Sequence, residues 1–330
     1  MAIDMQATLF EQSAIRKSPT NARDEEATEI AKAPEQALSE LFSLAQLYRT
    51  SKAYKELLRF VARFRFYSPF NALLVNVQMP GATFVAPAYR WANKYGRLPK
   101  PDARPLIILQ PKGPVMFVFD VGQTEPGPKA RPLPPEVENP FEVRGGYVDE
   151  QLECTKENAK RDGVRIHMRP EGSQSAGSIR DVGGDNLPVL RFQTRTDVNG
   201  DPIFETIPVR YDLLINEKLG REAQYASLVH ELGHLYCGHL GTPNKKWWTD
   251  RSRSSHVVSE FEAETVSYFV CKRLGIDSPS DEYLADYLEK NQEVPNISLE
   301  CVMKAAGLIE QMGKRRLKPR RVRPVMEAGL

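Results

Sequence analysis

The sequence is short of cysteine and has no long hydrophobic run. Its 4 cysteines lie 30 or more residues apart and form no Cys-x-x-Cys pair, which argues against a disulfide framework and against a thiolate zinc knuckle. The longest apolar runs, such as 105–109, are far shorter than a membrane span. The first residues show neither the basic nor the apolar segment of a secretion signal. We therefore expect a cytoplasmic protein with no membrane partner.

Charge is unevenly distributed along the chain, although the net charge is only +2. Residues 49–112 carry 12 Lys and Arg against 2 acidic residues, and residues 314–330 carry 7 against 1, which leaves an acidic remainder. Two basic zones on an acidic chain favour a polyanionic partner, most simply nucleic acid. The alternative is an ordinary solvated charged surface.

Composition and apolar periodicity divide the 330 residues into five segments. Residues 1–36 are polar and lack apolar periodicity, which is typical of a disordered leader. Helical spacing of apolar residues begins at Leu38, and prolines recur up to Pro140. We predict a first domain at 37–123, a proline-rich linker at 124–140, a second domain at 141–313 and a basic tail at 314–330.

Hydrophobic periodicity predicts an α+β fold made of two α+β domains. In the first domain it predicts a helix from Ser68-Pro69 and strands at 105–110 and 115–120. In the second, strands are expected at 141–148, 164–169, 188–194 and 203–216, and helices at 149–161, 221–240, 257–274, 281–290 and 298–312. We expect the segment 209–216 at a sheet edge, where an extended peptide could pair with it.

A His-Glu-x-x-His sequence, formed by His230, Glu231 and His234, lies within the predicted helix 221–240. Positions i and i+4 share one helix face, so both imidazoles can bind one ion. Glu231 lies about 100° around the helix axis from His230, where its carboxylate can reach a water at an open coordination position. Zinc activates such a water, and the glutamate serves as general base and then as general acid. The pattern predicts a zinc peptidase, with manganese as the alternative metal.

A catalytic zinc needs a third protein ligand. Metzincins place a glycine and a histidine three and six residues after the second histidine, where this chain has Cys237 and Leu240. The next predicted helix instead offers Glu260 and Glu264 on one face. We predict that Glu260 binds the metal and that Glu264 hydrogen-bonds a ligand histidine and fixes its orientation. Glu262, on another face, is expected to be exposed to solvent.

The residue that stabilises the developing oxyanion is left open by the sequence. Tyr236, His239, His256 and Tyr268 are the alternatives. His239 lies half a turn away from the helix face that carries His230 and His234. We therefore expect it to be structural or to contact one of the metal-binding residues.

Residues 230–239, His-Glu-Leu-Gly-His-Leu-Tyr-Cys-Gly-His, and 260–264, Glu-Phe-Glu-Ala-Glu, resemble the ImmA/IrrE family of metallopeptidases and the peptidase half of ArdC-type antirestriction proteins. Residues 211–216 resemble the strand before the active-site helix in those proteins. The resemblance covers about 200–275 and implies a zincin-like (gluzincin) domain. It also implies the roles of the site residues, with His230, His234 and Glu260 as metal ligands and Glu231 as general base.

The first domain is similar to the ArdC N-terminal domain, a single-stranded-DNA-binding module. The matching segments are Tyr-Ser-Pro-Phe-Asn-Ala-Leu-Leu at 67–74, Ala-Tyr-Arg-Trp at 88–91 and Val-Phe-Asp-Val-Gly-Gln-Thr at 118–124. Independently, cations alternate with aromatic residues at 63–67 and 89–91, which suits phosphate contacts combined with base stacking. The predicted DNA-binding residues are Arg63, Phe64, Arg65, Tyr67, Arg90 and Trp91. The alternative for each ring is a place in the core, and we expect one or two rings to be exposed.

These features together predict a zinc-dependent peptidase with a single-stranded-DNA-binding domain, encoded by a mobile element. Its substrate would be a regulatory or DNA-associated protein, such as a transcriptional repressor. The alternative is an ArdC-like antirestriction protein that protects DNA by occlusion, with a structural or idle zinc. A third interpretation is a repressor-linked sensor whose proteolysis is switched by DNA.

Overall fold

The computed structural model describes residues 48–110, 113–133, 148–170, 176–184 and 187–320. All of them belong to one compact unit, Leu44–Leu330. The predicted leader, most of the predicted strand at 141–148, residues 134–140 of the linker and the tail beyond residue 320 lie outside the described residues. Within the described segments, no helix has the length and apolarity needed to span a bilayer.

Serine caps start several of the helices. The longer helices of the described residues are α1 (Ser51–Arg63), α2 (Pro69–Gln78), α3 (Asp149–Lys160), α4 (Arg221–Tyr236), α5 (His256–Leu274), α6 (Pro279–Lys290) and α7 (Leu299–Lys314). The side chains of Ser68, Ser255 and Ser298 each accept a hydrogen bond from the backbone amide three residues later. Such caps satisfy amides that have no partner within the helix. The predicted helix start at Ser68-Pro69 is confirmed.

Short strands form four small sheets. The strands are β1 (Val85–Ala86), β2 (Arg97–Pro99), β3 (Leu106–Gln110), β4 (Gly113–Asp120), β5 (Thr124–Pro126), β6 (Val164–Arg169), β7 (Gly177–Asp181), β8 (Val189–Thr196), β9 (Pro202–Pro208) and β10 (Tyr211–Asn216). The sheet orders are β1-β4-β3, β6-β10-β7, β2-β5 and β8-β9. Strands and helices are both abundant, and the α+β class is confirmed. Because β5 pairs with β2, the first residues of the predicted linker belong to a sheet.

The strand β10 is the centre of the sheet beside α4. It pairs in parallel with β6 and antiparallel with β7. The prediction of one strand over 203–216 is therefore wrong, because its first half is β9, which pairs with β8. The chain changes sheet after Pro208, a residue without the N–H needed to continue a ladder. The predicted edge position of 209–216 is also wrong, and among the described strands β7 is the edge strand on that side.

The two faces of this sheet differ in character. Tyr211, Leu213 and Ile215 are buried on the face against which α4 packs. Alternate residues of a strand point to opposite faces, and the outer face carries a charged cluster. Asp212 accepts a 2.7 Å hydrogen bond from Arg165 Nε and lies 2.9 Å from His167 Nε2.

Helices α1 and α2, from the predicted first domain, pack on α5 and α7. The Tyr54 ring lies 5.4 Å from the Phe261 ring. Arg273 of α5 donates to the carbonyl oxygens of Val61 and Phe64, each at 2.8 Å. The buried core thus joins residues from both sides of the proline-rich segment, and the division into two domains stays a prediction.

Candidate metal centre

The helix α4 ends at Tyr236, four residues earlier than predicted. Gly238 has a φ of 81°, and a Cβ atom there would lie 1.9 Å from the carbonyl oxygen of Thr249. Only glycine fits a position that is both left-handed and this crowded. The chain therefore leaves the helix at this point, and the loop that follows brings Arg251 beside the helix end, where its amide donates to the Gly238 carbonyl at 2.9 Å.

The three side chains predicted as metal ligands converge. The Nε2 atoms of His230 and His234 lie 3.2 Å apart, and the oxygens of Glu260 lie 3.6 and 3.4 Å from them. Two ligands of a tetrahedral zinc ion, each at about 2.0–2.2 Å, lie about 3.3–3.6 Å from each other. The spacing fits one ion bound by two imidazoles and one carboxylate. All three residues are half-buried, which suits an ion reached from solvent.

The charges around the imidazoles favour a cation. Burial lowers the pKa of His230, but the carboxylates of Glu260 and Glu264, each with an oxygen 3.6 Å from a ring nitrogen, outweigh it and raise that pKa to about 10. The two imidazoles in turn hold the pKa of Glu260 well below its usual range. Positive charge between His230 and Glu260 is therefore stabilised, and a divalent cation satisfies this requirement.

Glu264 lies behind His230, on the side away from Glu260. The distance from Glu264 Oε1 to His230 Nδ1 is 3.6 Å. Glu260 and Glu264 are one turn apart on α5, so one helix face supplies a carboxylate to each nitrogen of the same imidazole. This is the arrangement in which an outer carboxylate orients a ligand histidine.

Glu231 is buried against β7, a strand that the sequence analysis missed. The backbone amide of Ile179 donates a hydrogen bond to the Glu231 carboxylate. A Cβ atom on Gly177 would lie 3.4 Å from Glu231 Cγ, so the strand and the helix approach closely here. Burial is the largest influence on Glu231 and raises its pKa to about 7. A carboxyl group with this pKa can exchange a proton near neutral pH.

Glu262 is buried, and the prediction that it is exposed is wrong. Arg251 donates a hydrogen bond to each carboxylate oxygen, one of them at 2.7 Å. The Ser298 amide adds a bond of 2.6 Å, and His239 Nε2 lies at 2.8 Å. Burial raises the pKa of Glu262, but the hydrogen bonds from His239 and Arg251 outweigh it and lower the pKa. The loop after α4 and the start of α7 cover this side of α5, which the polar sequence of the helix did not indicate.

Among the four alternatives for oxyanion stabilisation, His256 lies beside the ligands. Its Nε2 atom is 3.7 Å from Glu260 Oε1, and its side chain is exposed. The Tyr236 hydroxyl is buried and donates to Asp162 at 2.9 Å. His239 has both ring nitrogens engaged, and Tyr268 is near Asp281 on α6.

Tyr283 of α6 is a further residue near the centre that the sequence analysis missed. Burial and then the charges of Glu264 and Glu260 raise the pKa of its hydroxyl. The side chain is 38% exposed, so it can still contact a ligand. The signal that could have found it is weak, because a tyrosine on an amphipathic helix is more often a core residue.

Two of the predicted DNA-binding rings belong to the core. Phe64 and Trp91 are 3% and 0% exposed, so neither has a face on which a base can stack. Trp91 packs with Phe84 and Tyr95, and its indole N–H donates to a backbone carbonyl. The predicted stacking role of these two rings is corrected on this ground, because local alternation of cations and aromatics does not show which rings are buried.

The other predicted DNA-binding residues differ in exposure. Arg65 and Tyr67 are half-buried and donate to backbone carbonyls at 3.1 Å, whereas Arg63 and Arg90 are exposed. The exposed rings of this region are Phe66 at 51% and Tyr89 at 66%. Both occur in the alternating segments of the sequence.

Comparison with known proteins found similarity to solved structures but not to a family or a curated protein. No protein-family model matches the sequence, and no curated protein matches it. The crystal structures of the antirestriction protein ArdC from plasmid R388, metal-free and Mn(II)-bound, are similar to the chain with TM-scores of 0.32 and 0.30. Their identity to it is 13% and 15%, over 79% of this chain and 94% of theirs. At these values the function has to be inferred from the chain's own residues.

Proposed function

We propose that the chain is a metal-dependent endopeptidase, with zinc as the preferred ion and manganese as the alternative. The observation that carries the proposal is the convergence of His230, His234 and Glu260 next to the buried Glu231. Two imidazoles and one carboxylate from two helices are the ligand set of catalytic zinc sites that keep a position open for water.

The chain's own residues supply proton transfer and positioning. A bound zinc ion contributes Lewis acidity, which activates water and polarises a carbonyl. Glu231 accepts the proton of the attacking water and passes it to the leaving amine. The Ile179 amide keeps the Glu231 carboxylate oriented. His256, which lies 3.7 Å from Glu260, and Tyr283, whose pKa is raised by burial and then by Glu264 and Glu260, are the candidates to donate a hydrogen bond to an oxyanion.

The edge of β7 away from β10, which pairs with no other strand among the described residues, is the proposed docking strand for the substrate. Its inner neighbour is β10, so an extended peptide can add as the next strand through backbone hydrogen bonds. In this proposal β7 has the peptide-pairing role that was expected for residues 209–216. A regulatory protein with an exposed extended segment, such as a transcriptional repressor, has the required chemistry.

The test compares the wild-type protein with E231Q, both loaded with zinc. Each is incubated with a proteome-derived peptide library, and new peptide termini are identified by mass spectrometry. We expect cleavage by the wild type alone, with equal zinc content in both proteins. The control is E300Q, which alters a half-exposed glutamate of α7 and should cleave normally. Absence of new termini with the zinc-loaded wild type, or equal cleavage by E231Q, would refute the peptidase.

A second proposed activity is binding of single-stranded DNA. Exposed Phe66 and Tyr89 offer ring faces beside the cations Arg63 and Arg90. Rings that stack on bases, combined with cations that contact phosphates, bind single strands without sequence preference. This interpretation also fits the excess of positive charge at 49–112.

Anisotropy of a fluorescein-labelled oligo-dT strand tests this activity. The double variant F66A/Y89A should bind more weakly, since stacking contributes about 1–3 kcal/mol per base. The matched control is F204A, because Phe204 is 44% exposed and lies under Arg191 at 4.4 Å. Unchanged affinity in the double variant, or an equal loss in F204A, would exclude this surface.

Protection of DNA by occlusion alone is the competing function. In that case E231Q would retain full antirestriction activity in cells, whereas a peptidase-dependent activity would be lost. Cleavage rates measured with and without oligo-dT test the third interpretation, in which DNA switches proteolysis.

A further inference from the structure

His239 connects the metal ligand His234 to the buried carboxylate of Glu262. The Nδ1 atoms of His234 and His239 lie 3.0 Å apart, and His239 Nε2 lies 2.8 Å from a Glu262 oxygen. The side chains of His239 and Glu262 are 4% and 0% exposed, so solvent does not compete for these contacts. The three side chains form one chain of hydrogen bonds behind the metal-facing nitrogen of His234.

The direction of each hydrogen bond follows from Glu262. An ionised carboxylate only accepts hydrogen bonds, and Arg251 donates to both of its oxygens. His239 Nε2 must therefore donate as well. A neutral imidazole that donates from Nε2 has a free lone pair on Nδ1, which can accept only from His234 Nδ1–H. The lone pair of His234 is then on Nε2, the atom that lies 3.4 Å from Glu260.

The guanidinium of Arg251 fixes the far end of this chain of hydrogen bonds. It donates to both carboxylate oxygens of Glu262, which keeps the carboxylate in place as the acceptor for His239 Nε2.

We propose that His239 is a positioning residue that sets the tautomer and ring orientation of His234. The inference rests on the metal site proposed above, but it does not depend on the reaction catalysed there. The other ligand, His230, has a carboxylate behind it, because its Nδ1 faces Glu264 at 3.6 Å. One ligand thus has a carboxylate behind it and the other an imidazole. Loss of such a contact lowers metal affinity about 10–100-fold.

A second metal site is the alternative explanation for this cluster. Donor atoms of Cys237, His239 and Glu262 also lie within 4.8 Å of one another. The guanidinium of Arg251 already occupies both oxygens of Glu262, and its charge opposes a cation at that place. We therefore expect one metal ion per chain.

Two substitutions separate the two hydrogen bonds of His239. In H239N the amide reaches the former Nδ1 position and can still accept from His234, but the contact with Glu262 is lost. In H239Q the amide reaches the former Nε2 position and keeps Glu262, but the contact with His234 is lost. The control C237A changes a buried neighbour and leaves the hydrogen-bond chain intact. Cobalt(II) affinity, stoichiometry and visible spectrum are measured for all four proteins, and thermal melting of the metal-free forms verifies folding.

The proposal expects one cobalt per chain in the wild type. H239N and C237A should bind with near-wild-type affinity and spectrum, whereas H239Q should lose about 10–100-fold in affinity and show a shifted visible band. Equal cobalt affinities of H239N and H239Q would overturn the positioning role of His239. A weaker affinity of H239N than of H239Q would overturn it as well. Two cobalt ions in the wild type, with one lost in C237A, would establish the second site instead. A wild type that binds no cobalt would refute the proposed metal centre itself.

Discussion

Gly177 of β7 lies so close to Ser227 of α4 that a Cβ atom at position 177 would be 2.5 Å from the Ser227 hydroxyl oxygen. Two residues further along the strand, the Ile179 amide binds the carboxylate of Glu231. The orientation of the proposed general base therefore depends on the absence of a side chain at position 177.

The substitution G177A should impair catalysis while sparing the metal. The added methyl group pushes β7 away from α4, at a cost of about 1–3 kcal/mol in the free energy of unfolding. Because Ile179 moves with the strand, we expect a lower cleavage rate at unchanged zinc content. Urea unfolding, zinc analysis and peptide cleavage measure the three quantities. In the control G81A the new Cβ has nothing within 4 Å, and equal loss of activity there would contradict this explanation.

Zinc should stabilise the folded chain, and Glu260 should be required for it. A ligand that binds only the native state at 100 times its Kd stabilises by about 2.7 kcal/mol. We expect a rise in Tm on adding zinc to the metal-free protein and no rise for E260Q. The control is E289Q, which alters an exposed glutamate of α6. E262Q is unsuitable as a control because Glu262 is buried. A zinc-dependent rise that persists in E260Q would remove Glu260 from the ligand set.

Either His256 or Tyr283 should donate the hydrogen bond that stabilises the oxyanion. Removal of such a donor lowers kcat about 100–1000-fold, and KM should change little because the contact forms in the transition state. H256Q and Y283F test the two positions, and Y268F is the control. If both variants keep full kcat, neither side chain stabilises the oxyanion.

Acid should weaken the cluster on the outer face of the β6-β10-β7 sheet. Hydrogen bonds from Arg165 hold the pKa of Asp212 well below its usual range, with a further contribution from His167. In the unfolded chain an aspartate protonates near pH 4, about its ordinary pKa. The stabilisation is thus present above that pH and is lost as the pH falls towards the lower native pKa.

Denaturation of wild type and D212N at several pH values measures this contribution. The difference in unfolding free energy should be largest at neutral pH and should shrink below pH 4 or so. D286N is the control, because Asp286 forms an exposed pair with Lys290 and should show a small difference at every pH. A difference for D212N that grows on acidification would mean that Asp212 is not stabilised in its ionised form.

Arg273 should be far more costly to remove than an exposed arginine. Its side chain is 3% exposed, pairs with Glu310 and donates to the carbonyls of Val61 and Phe64. R273M leaves these partners buried without a donor, which costs about 3–5 kcal/mol. The matched control is R221M, since Arg221 also forms ion pairs, with Asp149 and Glu153, but is 45% exposed, and such pairs contribute about 0–1 kcal/mol. Similar losses of unfolding free energy in R273M and R221M would mean that burial does not determine how much an arginine contributes to stability.

Local sequence signals identified the elements that carry the centre. Apolar periodicity predicted helices at 221–240 and 257–274, within four residues of the observed bounds of α4 and α5. Both ends of α5 follow from short-range rules, because Ser255 caps its start and Gly275 ends it in a left-handed conformation. The spacing of Glu260 and Glu264 likewise depends only on helix geometry.

Features that depend on contacts distant in sequence were missed. The strand β7 is short and mostly polar, and only the alternation of Gly177 and Ile179 with Ser178 and Arg180 hints at it. The burial of Glu262 depends on Arg251, which arrives from a loop. Phe64 and Phe66 are two residues apart with similar neighbours, yet one is buried and the other exposed. Tertiary packing determines each of these features, and a local sequence pattern carries no information about that packing.

For the proposed peptidase, the hydrogen bond between Ile179 of β7 and Glu231 would also make substrate length a kinetic variable. A peptide long enough to pair along the five residues of β7 would hold that strand against α4 and keep the base aligned during the reaction. A shorter peptide could reach the metal ligands without steadying the strand. Truncation of a substrate at positions remote from the scissile bond should therefore reduce turnover as well as affinity, because binding energy far from the reacting atoms is used to order them.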